Sequence, residues 1–279
     1  MQEKQRYFVK TYYIGDNYYG SQRQDREESI EGAIITALKE KDYIKDEKES
    51  IFEAASRTDR FVSARGAVFS FISQKKFYPE ELNTVLPLDI GVWSHAVVPL
   101  DYMPRRKAIS RQYKYVVEHS IHWYEKNFDF NIDLIRKGCE LLQGRHDFVN
   151  FAKKDKNNEK NTVKDLQTIQ FSILNNYIVI DLISRSFLRQ QVRRMVKKLI
   201  ELGTNVISIE EFNSLLDPTK SFSYKPASAK GLILWDVQYT PEIVFTSNNK
   251  GLQRMVQFFN ENYNNSHFKM QFFDLLREK

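Results

Sequence analysis

Residues 166–202 read LQTIQFSILNNYIVIDLISRSFLRQQVRRMVKKLIEL, and this stretch decides the fold class. Segments 166–174 and 177–183 are rich in β-branched and aromatic residues, the composition of strands. Asn175 and Asn176 between them tolerate the left-handed backbone of a tight hairpin. From residue 187 the period changes. Phe187, Leu188, Val192, Met195, Val196 and Leu199 share one face at helical spacing, which predicts a helix over 187–202. Working outward, 109–117 reads as a strand, 131–142 as a helix and 232–239 as a closing strand, so this half runs β-α-β-β-α-β.

The preceding half repeats that order. A strand over 6–14 ends in the turn-forming Gly15-Asp16-Asn17. Ser29 then caps a helix whose apolar face is Ile30, Ile34, Ala37 and Leu38. A strand over 66–73, a helix over 79–86 stopped by Pro87 and a strand over 90–98 follow, and a short strand near 51–54 completes the unit. The expectation is an α+β protein of two tandem ferredoxin-like (βαββαβ) subdomains, 1–103 and 104–240, whose antiparallel sheets join around a central cleft. Residues 241–279 form a helical extension, with Leu252, Met255, Val256 and Phe259 on one stripe and an aromatic cluster at Phe268, Phe272 and Phe273. That extension packs on the core or against a second copy. Topology of this kind hosts many functions and selects none.

Composition narrows the field. The 279 residues carry a formal charge of +6, which suits a polyanionic partner better than an acidic chain would, without naming that partner. Cys139 is the only cysteine, so an intramolecular disulfide and a cysteine-based zinc site are both excluded, and a reducing compartment is expected. Residues 1–10 alternate charged and aromatic side chains and lack the apolar run of a signal peptide. No segment has the apolar length of a membrane span. The expectation is a cytoplasmic protein with no membrane partner.

Ala55-Ser56-Arg57-Thr58-Asp59-Arg60 precedes Ser63-Ala64-Arg65-Gly66 and a strand. Small and polar residues place Asp59 on a loop, where a carboxylate projects into a cleft. An ordinary turn aspartate between surface arginines fits the same residues. What separates the two readings is a series of further matches. Arg57-Thr58-Asp59 with Val62-Ser63-Ala64 resembles the signature loop of the tRNA pseudouridine synthase A family. Tyr13 to Gly20 with Gln22-Arg23-Gln24, Leu86-Pro87-Leu88-Asp89-Ile90, Arg105, Arg111 to Tyr115, Gly144 to Phe148 with Phe151, Phe187-Leu188 with Val192-Arg193, and Pro226-Ala227 with Gly231-Leu232 resemble its other motifs in the family's order, over about residues 7–239. The serine variants around Asp59 are similar to the archaeal and eukaryotic branch. Other positions depart too: Arg60 stands where alanine is usual, Phe61 where glycine is usual, Ser21 where tryptophan is common, and Gln191 and Lys197 where methionine and glycine are usual.

The resemblance implies isomerisation of uridine to pseudouridine in the anticodon stem-loop of tRNA, by a homodimer, with no cofactor and no metal. The chemistry fits the residues. The C1′–N1 bond breaks, the base turns, C1′ joins C5, the C5 proton leaves and N1 ends protonated, with no net oxidation. An ionised carboxylate serves as nucleophile or as electrostatic partner to the reacting sugar or base. Asp59 is the catalytic candidate, and Arg57 and Arg193, if they converge on it, favour its charged form. Tyr113 is by resemblance the active-site tyrosine set against the everted base, where a stack contributes roughly 1–3 kcal/mol; Tyr115, on the same strand face, is a packing residue.

Arg189, Arg193 and Lys197 recur every fourth residue along the predicted 187–202 helix. With Arg185, Arg194 and Lys198 they make six cations with little acid before Glu201, a pattern that favours phosphate contact over a merely solvated face. Arg193 is assigned to the active site and the other five to RNA binding. Arg23, Arg105 and Arg106 are further RNA-contact candidates, and the charged 153–161 loop is a mobile or RNA-contacting segment. His119 and His122 lack the additional ligands of a metal site, and His146-Asp147-Phe148 reads as a structural loop closure. A non-catalytic RNA-binding protein of the same fold is the alternative reading. A methyltransferase would need a glycine-rich cofactor loop after a strand, and a zinc deaminase would need cysteines that are absent.

Overall fold

The computed structural model describes residues 3–153 and 161–277. Most of the charged 153–161 segment therefore lies outside the described residues. No described helix is long and apolar enough to cross a membrane. The chain divides into two compact units, the first made of Met1–Arg57, Gly66–Lys107 and Pro241–Lys279, the second of Thr58–Arg65 and Ala108–Thr240.

The first unit runs β1 (Gln5–Tyr13), α1 (Ile30–Glu40), β2 (Glu53–Ala54), β3 (Ser63–Ser73), α2 (Pro79–Asn83) and β4 (Ile90–Val98), followed by the single turn α3 (Pro104–Lys107). Strand β3 belongs to this unit from Gly66 onward and to the second unit before it. Strand order β4-β1-β3, with β2 on the outer side of β3, is the arrangement that the β-α-β-β-α-β reading requires, and β1–β4 and β2–β3 are antiparallel. Local chemistry sets the ends. The Ser29 side chain accepts the Gly32 N–H and so caps α1, which buries Ile30, Ile34, Ala37 and Leu38 as expected. Helix α2 stops at Asn83, three residues short of the predicted end. There the Asn83 side chain turns inward and bonds both the N–H and the carbonyl of Val92, at 2.8 and 2.7 Å, which ties the helix end to β4.

After the second unit, the chain returns to the first as β10 (Thr246–Ser247), paired with β4, and α8 (Asn249–Arg277). Gly251 lets α8 lie against β4, since a Cβ there would stand 2.4 Å from the Val92 carbonyl oxygen. Arg254 donates to the carbonyls of Leu86, Pro87 and Ile90, and Phe258 and Phe259 meet the Tyr12 ring at 6.0 and 5.5 Å. Beyond that point Tyr263, Phe268, Met270, Phe272, Phe273, Leu275 and Leu276 are all at least half exposed.

The second unit contains β5 (Ser110–Ser120), α4 (Ile121–Asn127), α5 (Ile132–Leu142), β6 (Gly144–Asp147), β7 (Val163–Leu174), β8 (Tyr177–Ser184), α6 (Gln191–Gly203), α7 (Ile209–Ser214) and β9 (Leu232–Gln238). Its strands lie in the order β9-β5-β8-β7-β6, the same plan with β6 added outside β7. Asn175 and Asn176 take φ of 48° and 66°, the left-handed pair that the hairpin between β7 and β8 needs. Asn131 caps α5 through the Asp133 N–H. The α7 capping box, Ser208 with Glu211, and the strand β6 were not anticipated.

One expectation is overturned. The helix predicted over 187–202 begins only at Gln191. Gln190 is left-handed with φ 62°, and the Gln191 side chain accepts the Leu188 N–H at 2.8 Å, closing a turn where the apolar spacing alone had suggested helix. Arg189 therefore sits in that turn, its carbonyl accepting the Lys153 N–H, and does not share a helical face with Arg193 and Lys197.

Candidate active site

Asp59 lies in a turn of the second unit closed by the Val62 N–H to the Asp59 carbonyl at 3.2 Å. From that turn the chain enters β3, whose Ser63 and Ala64 pair in parallel with Ile233 and Leu234 of β9. The start of β3 thus fixes the loop from one side. From the other side comes α6. Arg193 Nη1 donates to Asp59 Oδ2 at 3.0 Å, and Arg193 Nε donates to the Ala227 carbonyl at 2.8 Å. Ala227 in turn donates its N–H to the Arg193 carbonyl. A planar guanidinium held at two edges has little freedom left, so the carboxylate meets a pre-oriented partner. The two side chains differ in access: Arg193 is 14% exposed and Asp59 38%. The cation is walled in while the acid keeps a face toward solvent.

Two tyrosines of β5 belong to the same unit. Tyr115 is buried, and its hydroxyl donates to the Ser228 carbonyl at 2.8 Å. Burial pushes its phenol up to about 12, against a smaller opposing effect of the Arg193 charge. Gly231 makes room for that ring, because a Cβ there would stand 2.9 Å from it and 2.4 Å from the Val116 carbonyl. Tyr113, the residue expected to face the base, is only 8% exposed, and Phe187 meets its ring edge-on at 5.2 Å and 88°. It forms a wall rather than an open platform.

Phe61, two residues from the acid, is half-buried and takes φ 69°. That left-handed backbone is what glycine supplies without cost. A bulky residue there is strained by on the order of 1–3 kcal/mol. Arg60 lies over the Phe61 ring at 4.5 Å and Lys230, from the segment that holds Arg193, at 5.7 Å.

The other expected cations have varied surroundings. Arg57 is exposed and ends the first stretch of the first unit. Arg23, also in that unit, donates to Glu47 at 2.6 Å. Arg105 and Arg106 are exposed on α3. Arg185 and Arg189 are exposed in the second unit, and the Arg185 carbonyl accepts from Arg111 Nη1 at 2.5 Å. Arg194 and Lys198 lie over the Tyr224 ring at 4.9 and 4.4 Å. Lys197 and Lys198 both pair with Glu201, at 3.2 and 2.6 Å, so one acid answers two of the six cations. His119 stacks on Trp123 at 3.8 Å. Phe148 is fully buried, the Asp147 side chain accepts the Val149 N–H, and the His146 ring bonds the Gln143 carbonyl, as a loop closure would have it.

Sequence reasoning passed over Trp235, whose ring lies 4.9 Å from Arg65 and 5.0 Å from Lys114, and Lys230. Neither has a local signature: Trp235 is placed by the pairing of β9, and Lys230 by its approach to the Phe61 ring. A surface cavity of ≈ 580 Å³ lies in the first unit and is lined by Tyr78, Glu80, Glu81, Asn83, Thr84, Lys250 and Arg254. It carries none of the candidate site residues, and its two glutamates suit a phosphate backbone poorly.

Residues 139–240 match the sequence profile of a family described as tRNA pseudouridine synthase. A tRNA pseudouridine synthase A of Methanococcoides burtonii is 34% identical over 249 residues, 88% of this chain and 87% of that protein. The chain belongs to the tRNA pseudouridine synthase A family. Family proteins of Methanosarcina mazei, 34% identical over 88% of this chain and 89% of that one, and of Archaeoglobus fulgidus, 34% identical over 84% and 83%, agree with that membership. In this member of the tRNA pseudouridine synthase A family the second residue after the aspartate is Phe61, and the helix bearing Arg193 opens on Gln191.

Proposed function

We propose that this chain isomerises uridine to pseudouridine in the anticodon stem-loop of tRNA, with Asp59 as its catalytic carboxylate. Family membership supports the reaction, and the 3.0 Å pairing of Asp59 with Arg193 across 134 residues of chain is the observation that carries the residue assignment. An acid that is one-third open while its counterion is fixed behind it has one side available to a ribose or base. It acts there as nucleophile or charge stabiliser during cleavage of C1′–N1. The base then turns, C5 bonds to C1′, the C5 proton is lost and N1 is protonated. Everting the uridine costs a few kcal/mol, repaid by contacts with Arg57, the Tyr113 edge and backbone-binding cations.

Those cations are Arg23, Arg105, Arg106, Arg185, Arg189, Arg194, Lys197 and Lys198. Arg105, Arg106, Arg185 and Arg189 are exposed and so lead the group. The protein works in the cytoplasm, where mature tRNA is found, and as a homodimer. The distal half of α8 supports the dimer: its seven exposed apolar side chains offer on the order of 800 Å², comparable with one side of a stable protein interface.

The reaction releases the hydrogen at C5, so anticodon-arm tRNA tritiated at that carbon gives a direct count of turnover. Asp59→Asn should release no tritium above background while binding tRNA within a few-fold of the parent. Turnover by that variant would remove Asp59 from its role, and binding without turnover by the parent chain would favour the non-catalytic alternative.

A further inference from the structure

The catalytic loop holds an aromatic side chain that the reaction just described does not use. Phe61 occupies a left-handed backbone position, φ 69°, two residues from Asp59, where a glycine would be unstrained. Nothing in the turn demands a phenyl ring: the closing hydrogen bond is backbone to backbone, Val62 to Asp59. The ring is half-buried rather than part of the core. It is attended by two cations from separate segments, Arg60 at 4.5 Å and Lys230 at 5.7 Å. An unbranched aromatic ring with flanking cations is what single-stranded nucleic acid binds, bases on the ring and phosphates on the charges. Tyr113, by contrast, is almost covered by Phe187 and its neighbours.

We infer that Phe61 is a positioning residue for the substrate: a nucleobase adjoining the everted uridine stacks on its ring, and Arg60 and Lys230 move onto the phosphates on either side. The cation over the ring in the free protein is a place-holder, since an exposed cation–π contact is weaker than a base stack. The strain at Phe61 is retained because the ring is needed at that point, in keeping with the clustering of strained backbone at functional sites. This inference rests on the proposed function, because it takes the loop of Asp59 as the place where RNA is opened.

The test pairs stability with turnover. Phe61→Gly relieves the backbone strain and should leave the melting temperature unchanged or raised. Phe61→Leu keeps an apolar side chain without a π-face. Both should lower kcat/KM for anticodon-arm RNA by about tenfold, mainly through KM, while Phe61→Tyr stays within about threefold. In the Asp59→Asn background, which holds RNA without turnover, 2-aminopurine beside the target uridine should be quenched when Phe61 is present or replaced by tyrosine, and should brighten in the Phe61→Leu double variant. Wild-type kinetics in both the Gly and Leu variants, or fluorescence indifferent to the side chain, overturns the role of Phe61 and leaves Asp59 untouched. Tritium release by the Asp59→Asn single variant would instead sink the reading on which the inference stands.

Discussion

At Arg193 the geometry allows a narrow substitution test. The guanidinium serves Asp59 with one nitrogen and the Ala227 carbonyl with another, and an ammonium group cannot span both. Arg193→Lys should therefore lose one charge-assisted bond. For a buried donor that is roughly 1.5–3 kcal/mol, and the partial exposure of Asp59 puts the effect toward the lower figure. The expected outcome is a fall in kcat of about tenfold or somewhat more with KM nearly constant, measured by single-turnover tritium release. An unchanged kcat would mean that the pair is structural only. Asp59 and Arg193 were legible in the sequence because their motifs match those of a family, not because their surroundings are distinctive. Phe61 shows the limit. That it differs from the usual residue could be read directly, but its backbone angle could not, since nothing in the propensity of phenylalanine predicts a left-handed conformation.

Elements were legible where end chemistry and periodicity agreed. Ser29 and the Asn175-Asn176 pair occur where the cap and the turn were expected, and the helix predicted over 131–142 starts with Asn131 as its cap. Helix α6 starts later than predicted because two apolar residues, Phe187 and Leu188, extend the stripe backward, while the left-handed Gln190 and the turn closed by the Gln191 side chain on the Leu188 N–H hold them outside the helix. Periodicity cannot register such a turn. The Ser208-x-x-Glu211 box could have been found as a capping signature and was missed for want of a long apolar run behind it. Helix α8 is two elements in energetic terms. Its first turns are held by Gly251, Arg254 and the Tyr12 cluster, whereas its last four turns lie bare. A chain ending at Asn262 keeps the first set and discards the second. It should remain folded and elute as a monomer in light-scattering chromatography, where the full chain is expected to run as the proposed dimer. A full-length monomer would refute the assigned interface.

Charge belongs to the whole molecule. A net of +6 is modest, and internal pairs such as Lys197–Glu201 reduce what reaches a ligand. Replacing Arg189 and Lys197 together by glutamine should weaken tRNA binding and lower the slope of log affinity against log salt by between about one and two, less than for two unpaired contacts. An unaltered slope would mean that both are merely solvated. Acid sensitivity has a separate origin in the first unit. Hydrogen bonds from Lys39 and Arg23 hold the Glu47 carboxyl down to about 2. Because the folded value is below the unfolded one, the stabilisation is complete above the ordinary glutamate range and disappears as pH falls through that range to about 2. Glu47→Gln should be less stable than the parent at neutral pH and should close that gap on acidification, as followed by thermal melts between pH 7 and 3.

The 134-residue interval between Asp59 and its guanidinium has a bearing on how the enzyme comes into being. A growing polypeptide exposes the acid early, yet Arg193 depends on Ala227, and the strand that steadies the acid's loop is completed only at Gln238. On the proposed assignment, a nascent chain still threaded in the ribosome, or a product truncated before that strand, should consequently be inert toward the tRNAs crowding around it. Modification should begin only with chains synthesised past Gln238.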